Sequence, residues 1–237
     1  MWMVTAVMLL AAAVGAPGET GEIDGALALE REGRDGEALA AMDALVLRSP
    51  AWELPRLEAA RLRMKLGREV NRAGFDADVA RSIAPENPRA HYLVGLVCEE
   101  RGEEAEAVSA YEEALVLKPS YDEARFRLAS IYFARGDWAL AEEHYRALAL
   151  ASGDESGASP ARLQWIATLE RQGRDEDAEQ ELIRIRRADP GSIAVARRLA
   201  ALYERTGRPA LARKILAGLE TAAVNEKKMR PLRRSRR

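Results

Sequence analysis

Few residues of this 237-residue chain could carry chemistry, and their spacing speaks against it. The only two histidines, His91 and His144, lie 53 positions apart, so they cannot form the i, i+4 pair that holds zinc on one helix face. The single cysteine, Cys98, falls on an apolar helical stripe with no base placed beside it, and reads as a small apolar residue. One thiol also excludes an intramolecular disulfide. The carboxylate pairs Glu103-Glu104 and Glu112-Glu113 are sequence neighbours, which suits solvated helix faces rather than a reacting centre. The segment from Gly15 to Gly25 is glycine-rich, but it holds no lysine and follows no strand, so it does not resemble a phosphate-cradling loop. No catalytic residue, metal ligand, cofactor or small-molecule substrate is implied, and the chain reads as a non-enzyme.

Charge is the one polar feature with a direction. The formal net charge is −2, from 36 basic and 38 acidic residues. Seven of the bases sit in the last eleven residues: Lys227, Lys228, Arg230, Arg233, Arg234, Arg236 and Arg237, with no acid among them. That leaves 29 bases against 38 acids, so the body stands near −9 and the tail near +7. Residues 227–237 read as a basic disordered tail suited to an anionic surface, whether lipid, nucleic acid or acidic protein. It carries no aromatic residue for base stacking. The competing reading is a solvated end, or self-contact with the acidic body.

Residues 3–14 are uncharged, and the first charged side chain is Glu19. This run has the length of a signal-peptide apolar region and is short for a membrane span. Ala13 and Gly15 offer small side chains for cleavage after Gly15, making residues 1–15 a signal peptide or a short N-terminal anchor. Only the terminal amine supplies positive charge ahead of the run, so an ordinary hydrophobic helix is the alternative.

The elements that position these residues are helical. Ala, Leu, Arg and Glu dominate, aromatic residues make up 5% of the chain, and no segment alternates as a strand does. Gly102, Gly136, Gly173 and Gly207 recur at intervals of 34, 37 and 34 residues. Each is followed at a fixed offset by an alanine (Ala107, Ala141, Ala178, Ala212) and then by a bulky residue (Tyr111, Tyr145, Leu182, Leu216). In the clearest unit, His91, Val94, Gly95 and Cys98 form one stripe, Gly102 turns the chain, Ala107, Tyr111 and Ala114 form the next stripe, and Pro119 closes it. Gly95 is small where a neighbouring helix must approach closely. Gly67 and Gly33 extend the register backward, the former with one extra residue in its unit. Self-similarity at this period marks stacked supersecondary units.

These residues resemble the tetratricopeptide repeat family, with departures at His91 and Cys98, where an aromatic is more usual. The resemblance implies an all-α fold: a right-handed α-solenoid of stacked antiparallel helical hairpins, about six repeats within 19–226, with units near 19–52, 53–87, 88–121, 122–158, 159–192 and 193–226. It further implies a concave groove lined by the first helix of each hairpin. The inward positions are Arg89, Tyr92, Leu96 and Glu99; Phe126, Ser130 and Phe133; Leu163 and Glu170; Arg197 and Glu204. The three aromatics are either partner anchors or packing between hairpins. The chaperone-tail-binding branch of the family uses basic residues and asparagine where this face is aromatic or acidic, so such tails are not expected to bind.

The function implied is a non-enzymatic protein-interaction scaffold that holds a peptide or helix of another protein within a multiprotein assembly of the bacterial envelope. It would be exported to the periplasm or held at its membrane face. The alternative is a cytoplasmic adaptor or regulator whose basic tail contacts nucleic acid or anionic lipid.

Overall fold

The structure is a computed structural model that describes residues 17–151 and 159–218. The expected signal peptide and the basic tail, like residues 152–158, lie outside the described residues. All regular structure among the described residues is helical. The chain divides into two compact units, Met1–Leu128 and Ala129–Arg237. Unit 1 holds α1 (Pro17–Arg31), α2 (Asp35–Arg48), α3 (Glu53–Lys65), α4 (Val70–Ile83), α5 (Pro88–Arg101) and α6 (Glu104–Leu117). The division falls inside α7 (Asp122–Arg135). Unit 2 continues with α8 (Trp138–Ala151), α9 (Pro160–Arg171), α10 (Asp175–Ala188), α11 (Ile193–Arg205) and α12 over 209–218.

The helices form a helical repeat of the expected class, and turn chemistry explains how. Every first helix is followed by a glycine at positive φ: Gly33, Gly67, Gly102, Gly136, Gly173 and Gly207. At Gly102 (φ 75°) the amide of Gly102 donates to the Glu99 carbonyl and that of Glu103 to Cys98, which satisfies the last carbonyls of α5. The second hairpin carries one residue more between its glycine and its buried alanine, Gly67 to Ala73. That residue is absorbed by Glu69, the one non-glycine at positive φ among the described residues (φ 56°).

Helix starts are equally local. The Asn87 side chain accepts from the Arg89 amide at 3.0 Å and the Ser159 hydroxyl from the Arg162 amide at 3.3 Å, each followed by proline in the first turn. In unit 1, α1 packs on α2, α3 on α2, α4 and α5, and α5 on α4 and α6. Ile23, Ala38, Met42, Leu45, Trp52 and Leu62 form one buried cluster there. In unit 2, α9 packs on α8 and α10, and α10 on α11, around Tyr145, Ile166, Leu169, Leu182 and Ile185. Helix α1 runs unbroken through Gly21 and Gly25, because Ile23 and Ala26 on its other face are buried.

Candidate functional site

The first-helix face of unit 1 follows from the burial stripe of α5. His91, Val94, Gly95 and Cys98 are buried. Tyr92, Leu96 and Glu99, one position further round, stand half-buried at the surface. Gly95 has the reason expected for it: a Cβ there would lie 2.5 Å from the Tyr111 ring. That gap lets Tyr111 cross from α6, fully buried, and donate its hydroxyl to Glu99 at 2.6 Å. The Tyr92 ring sits 5.8 Å from Tyr111 and 5.1 Å from Tyr121, and Lys118 lies 5.3 Å from the Tyr121 ring. Arg127 reaches Glu99 at 3.5 Å and lies against the Tyr92 phenol. Phe126 is half-buried on α7.

Burial pushes the phenols of Tyr92, Tyr111 and Tyr121 up, Tyr121 to about 12. All three are therefore neutral hydroxyls at physiological pH. The result is a partly exposed aromatic surface with hydrogen-bonding tips, a combination suited to holding a polypeptide.

Three of the charged groove residues, Arg89, Glu99 and Glu170, have structural partners. Arg89 of α5 pairs with Glu58 of α3 at 2.6 Å, and Glu58 accepts from Arg61 at 2.8 Å. Arg61 also pairs with Glu30 of α1, while Lys65 reaches Glu30 and Asp35, both at 2.9 Å. A ladder of ion pairs thus ties successive first helices together in unit 1. In unit 2, Glu170 of α9 pairs with Arg198 of α11 at 2.7 Å, and the carbonyl of Leu163 accepts from the same arginine at 3.1 Å. Ser130 shares a hydrogen bond with the Tyr145 hydroxyl at 2.8 Å. Phe133 meets Trp138 edge-on at 5.1 Å, so this aromatic packs within its own hairpin. Arg197 and Glu204 are exposed on α11.

Two features were missed by sequence reasoning. The first explains His91. Eleven positions before each turn glycine stand Arg56, His91 and Arg125, and each donates to a proline carbonyl six residues back: Pro50 at 3.3 Å, Pro85 at 2.8 Å and Pro119 at 2.5 Å. A donor that ties a helix start to the preceding hairpin takes the place of the usual aromatic. The second is Arg63, fully buried on α3. It donates to Asp43 on α2 at 2.5 Å, to Asp76 on α4 at 2.7 Å and to Glu69 at 3.0 Å. Arg56 adds a second cation at Asp76, 3.2 Å away. The signal was available: Arg63 lies four positions before Gly67, where Tyr132 and Tyr203 stand in other hairpins, and a cation on a buried stripe demands carboxylates around it.

His144 stacks on Tyr132 with ring centroids 5.8 Å apart. Burial pushes the Cys98 thiol up, with Glu103 beside it adding to the effect. No group of three metal-ligating side chains is found among the described residues, and no helix among them is long and apolar enough to cross a membrane.

Residues 57–122 and 100–159 match sequence models of the tetratricopeptide repeat family. Among solved structures, PilW, a widely conserved type IV pilus biogenesis factor, aligns with a TM-score of 0.69 at 18% identity, covering 88% of this chain and 100% of that one. YrrB, a tetratricopeptide protein with an unusual peptide-binding site, aligns at 0.62 and 19% identity over 79% and 98% of the two chains. A tetratricopeptide repeat protein from Parabacteroides merdae aligns at 0.64 and 17% identity over 85% and 78%. At these identities the likeness is one of fold. Comparison with curated protein sequences gives no match.

Proposed function

From the premise that the chain belongs to the tetratricopeptide repeat family, we propose that it is a non-enzymatic scaffold that holds a peptide or helix of another protein on its first-helix face. One observation carries this. In unit 1 the charged side chains of that face are engaged with one another, whereas Tyr92, Tyr121 and Leu96 keep part of their surface exposed. Recognition there rests on aromatic contact and neutral hydroxyls, which favours an apolar segment over a strongly charged one.

The setting we propose is an envelope assembly, reached by export. It is supported by the uncharged run at 3–14 with small residues at 13 and 15, and by the fold likeness to a pilus biogenesis factor. The basic residues of 227–237 add a separate, charge-driven contact with an anionic surface.

The test places a photo-reactive amino acid at Tyr92 and, separately, at the exposed Glu112 of α6. Crosslinking to one partner polypeptide from Tyr92 and not from Glu112 is expected. Equal yields from both sites, or none from Tyr92, refute the reading. N-terminal sequencing of the fractionated protein tests export, a mature chain beginning at Ala16 being the expected result.

A further inference from the structure

A cleft of about 600 Å³ opens in unit 1 between α4, α5 and α6. None of the first-helix-face residues lines it. Its floor is made of the buried Val94 and Cys98 from α5 and Ala110 from α6. The cleft lies where this hairpin departs from its siblings. Four positions before the turn glycine the other units place Leu29, Arg63, Tyr132, Leu169 and Tyr203; here the residue is Cys98, a much smaller side chain.

The rim is acidic. Asp78 is paired with Arg81 at 2.8 Å, and Glu103 lies 3.9 Å from Arg101. Glu106 and Glu113, both exposed on α6, have no ion-pair partner among the described residues. They stand seven residues apart, two helical turns, or about 10 Å. The segment 227–237 carries seven bases, no acid, and two apolar residues, Met229 and Leu232. In an extended chain alternate side chains share a face at a rise of about 3.3 Å per residue, so Arg230, Leu232 and Arg234 would line one face, the two arginines about 13 Å apart and long enough to reach carboxylates about 10 Å apart. The charges are complementary, and Leu232 stands between two bases as Ala110 of the floor stands between two carboxylates on α6.

We propose that this cleft is the docking site for residues 227–237 of a second copy of the chain, with Arg230 and Arg234 on Glu106 and Glu113 and Leu232 over Cys98. The inference rests on the tail's charge-driven role proposed above and is independent of the first-helix face. It makes the protein's self-association salt-sensitive.

Cys98 is the only thiol in the chain, so the native protein reports on its own cleft. The rate of its modification by an aromatic disulfide reagent is measured at about pH 8.5, because a buried thiol with a raised pKa reacts slowly at neutrality. In the full chain, raising the protein concentration slows the reaction about tenfold as copies associate, and sedimentation follows the association. The full-length variants Arg230→Glu/Arg234→Glu and Glu106→Lys/Glu113→Lys each stay monomeric, with fast-reacting Cys98. Mixing the two restores association and protection, since each supplies the complement of the other. Cys98→Tyr, which puts back the ring found in sibling hairpins, abolishes association while circular dichroism stays helical. Crosslinking from Tyr92 is unchanged in all of these variants, so failure here is separable from failure of the scaffold reading. Association that survives both charge reversals overturns the proposal. So does protection that does not vary with protein concentration, which would place the segment on its own chain, and so does a mixture that fails to associate.

Discussion

Substituting Gly95→Ala tests the central packing of unit 1. A Cβ at this position would stand 2.5, 2.7 and 2.9 Å from three atoms of the Tyr111 ring, closer than real contacts allow. The ring has little room to retreat, for it is fully buried, its hydroxyl donates to Glu99 at 2.6 Å, and Tyr92 packs on it at 5.8 Å. Alanine gains about 1 kcal/mol over glycine in helix propensity. Overpacking costs about 1–3 kcal/mol. A shift of the ring that breaks the bond to Glu99 costs about 1.5–3 kcal/mol more, since that acceptor is charged. The balance is a destabilisation of about 3 kcal/mol. Gly25→Ala in α1 is the matched control: its Cβ would meet nothing within 4 Å, and the substitution should stabilise by about 0.5–1 kcal/mol. Urea unfolding followed by far-ultraviolet circular dichroism reads both. A Gly95→Ala protein as stable as the wild type, or two alanines shifting the midpoint in the same direction, would refute the reasoning.

Other outcomes follow from the same geometry. Arg63→Leu strands Asp43 and Asp76 without their shared buried cation and should cost about 3–5 kcal/mol; the loss should shrink on acidification, because burial already pushes the Asp76 carboxyl up, and calorimetry across pH checks both. Glu30 is held at about 2, below the usual 4.5, chiefly by its hydrogen bond from Arg61 and then by Lys65, against the opposing effect of burial. Its contribution is fully present above pH 4.5 and is lost as pH falls through about 2, so thermal unfolding of Glu30→Gln should be flatter than wild type across that window. A peptide ending Glu-Glu-Val-Asp should give no saturable binding in calorimetry, since Arg61, Lys65 and Arg89 are neutralised by Glu30, Asp35 and Glu58; saturable binding that is lost on Arg89→Ala would contradict this.

The sequence made the fold legible because the determinants of each hairpin are local. Gly102, Asn87 and Ser159 mark helix ends through conformational freedom and capping that act within a few residues. The need for a small residue at Gly95 could also be read from its place on the stripe, though not the identity of Tyr111 as its neighbour. The charges could not be assigned in this way. Arg89, Glu99 and Glu170 fall at inward positions by periodicity, yet their partners Glu58, Arg127 and Arg198 come from other hairpins at separations of about one repeat. Periodicity gives the face on which a side chain stands. Whether that side chain meets a partner protein or the next repeat depends on how two hairpins are set against each other, and no single-helix pattern contains that.

The departures from the repeat are where unit 1 acquires individual chemistry. A stack of identical hairpins would offer the same surface at each step and could not distinguish one register of a bound chain from the next. Two substitutions at one repeat position break that equivalence in opposite ways. Arg63 fills the space with a cation that locks α2, α3 and α4 through Asp43, Asp76 and Glu69. Cys98, one repeat later, leaves the space open beneath an acidic rim. Exchanging the two should then exchange their consequences. Tyr at 98 closes a recognition cleft with little loss of stability, whereas a small residue at 63 unlocks a scaffold without creating one, because Asp43 and Asp76, left only with Arg72 and Arg56, would line the vacancy with carboxylates short of their shared cation instead of an apolar floor.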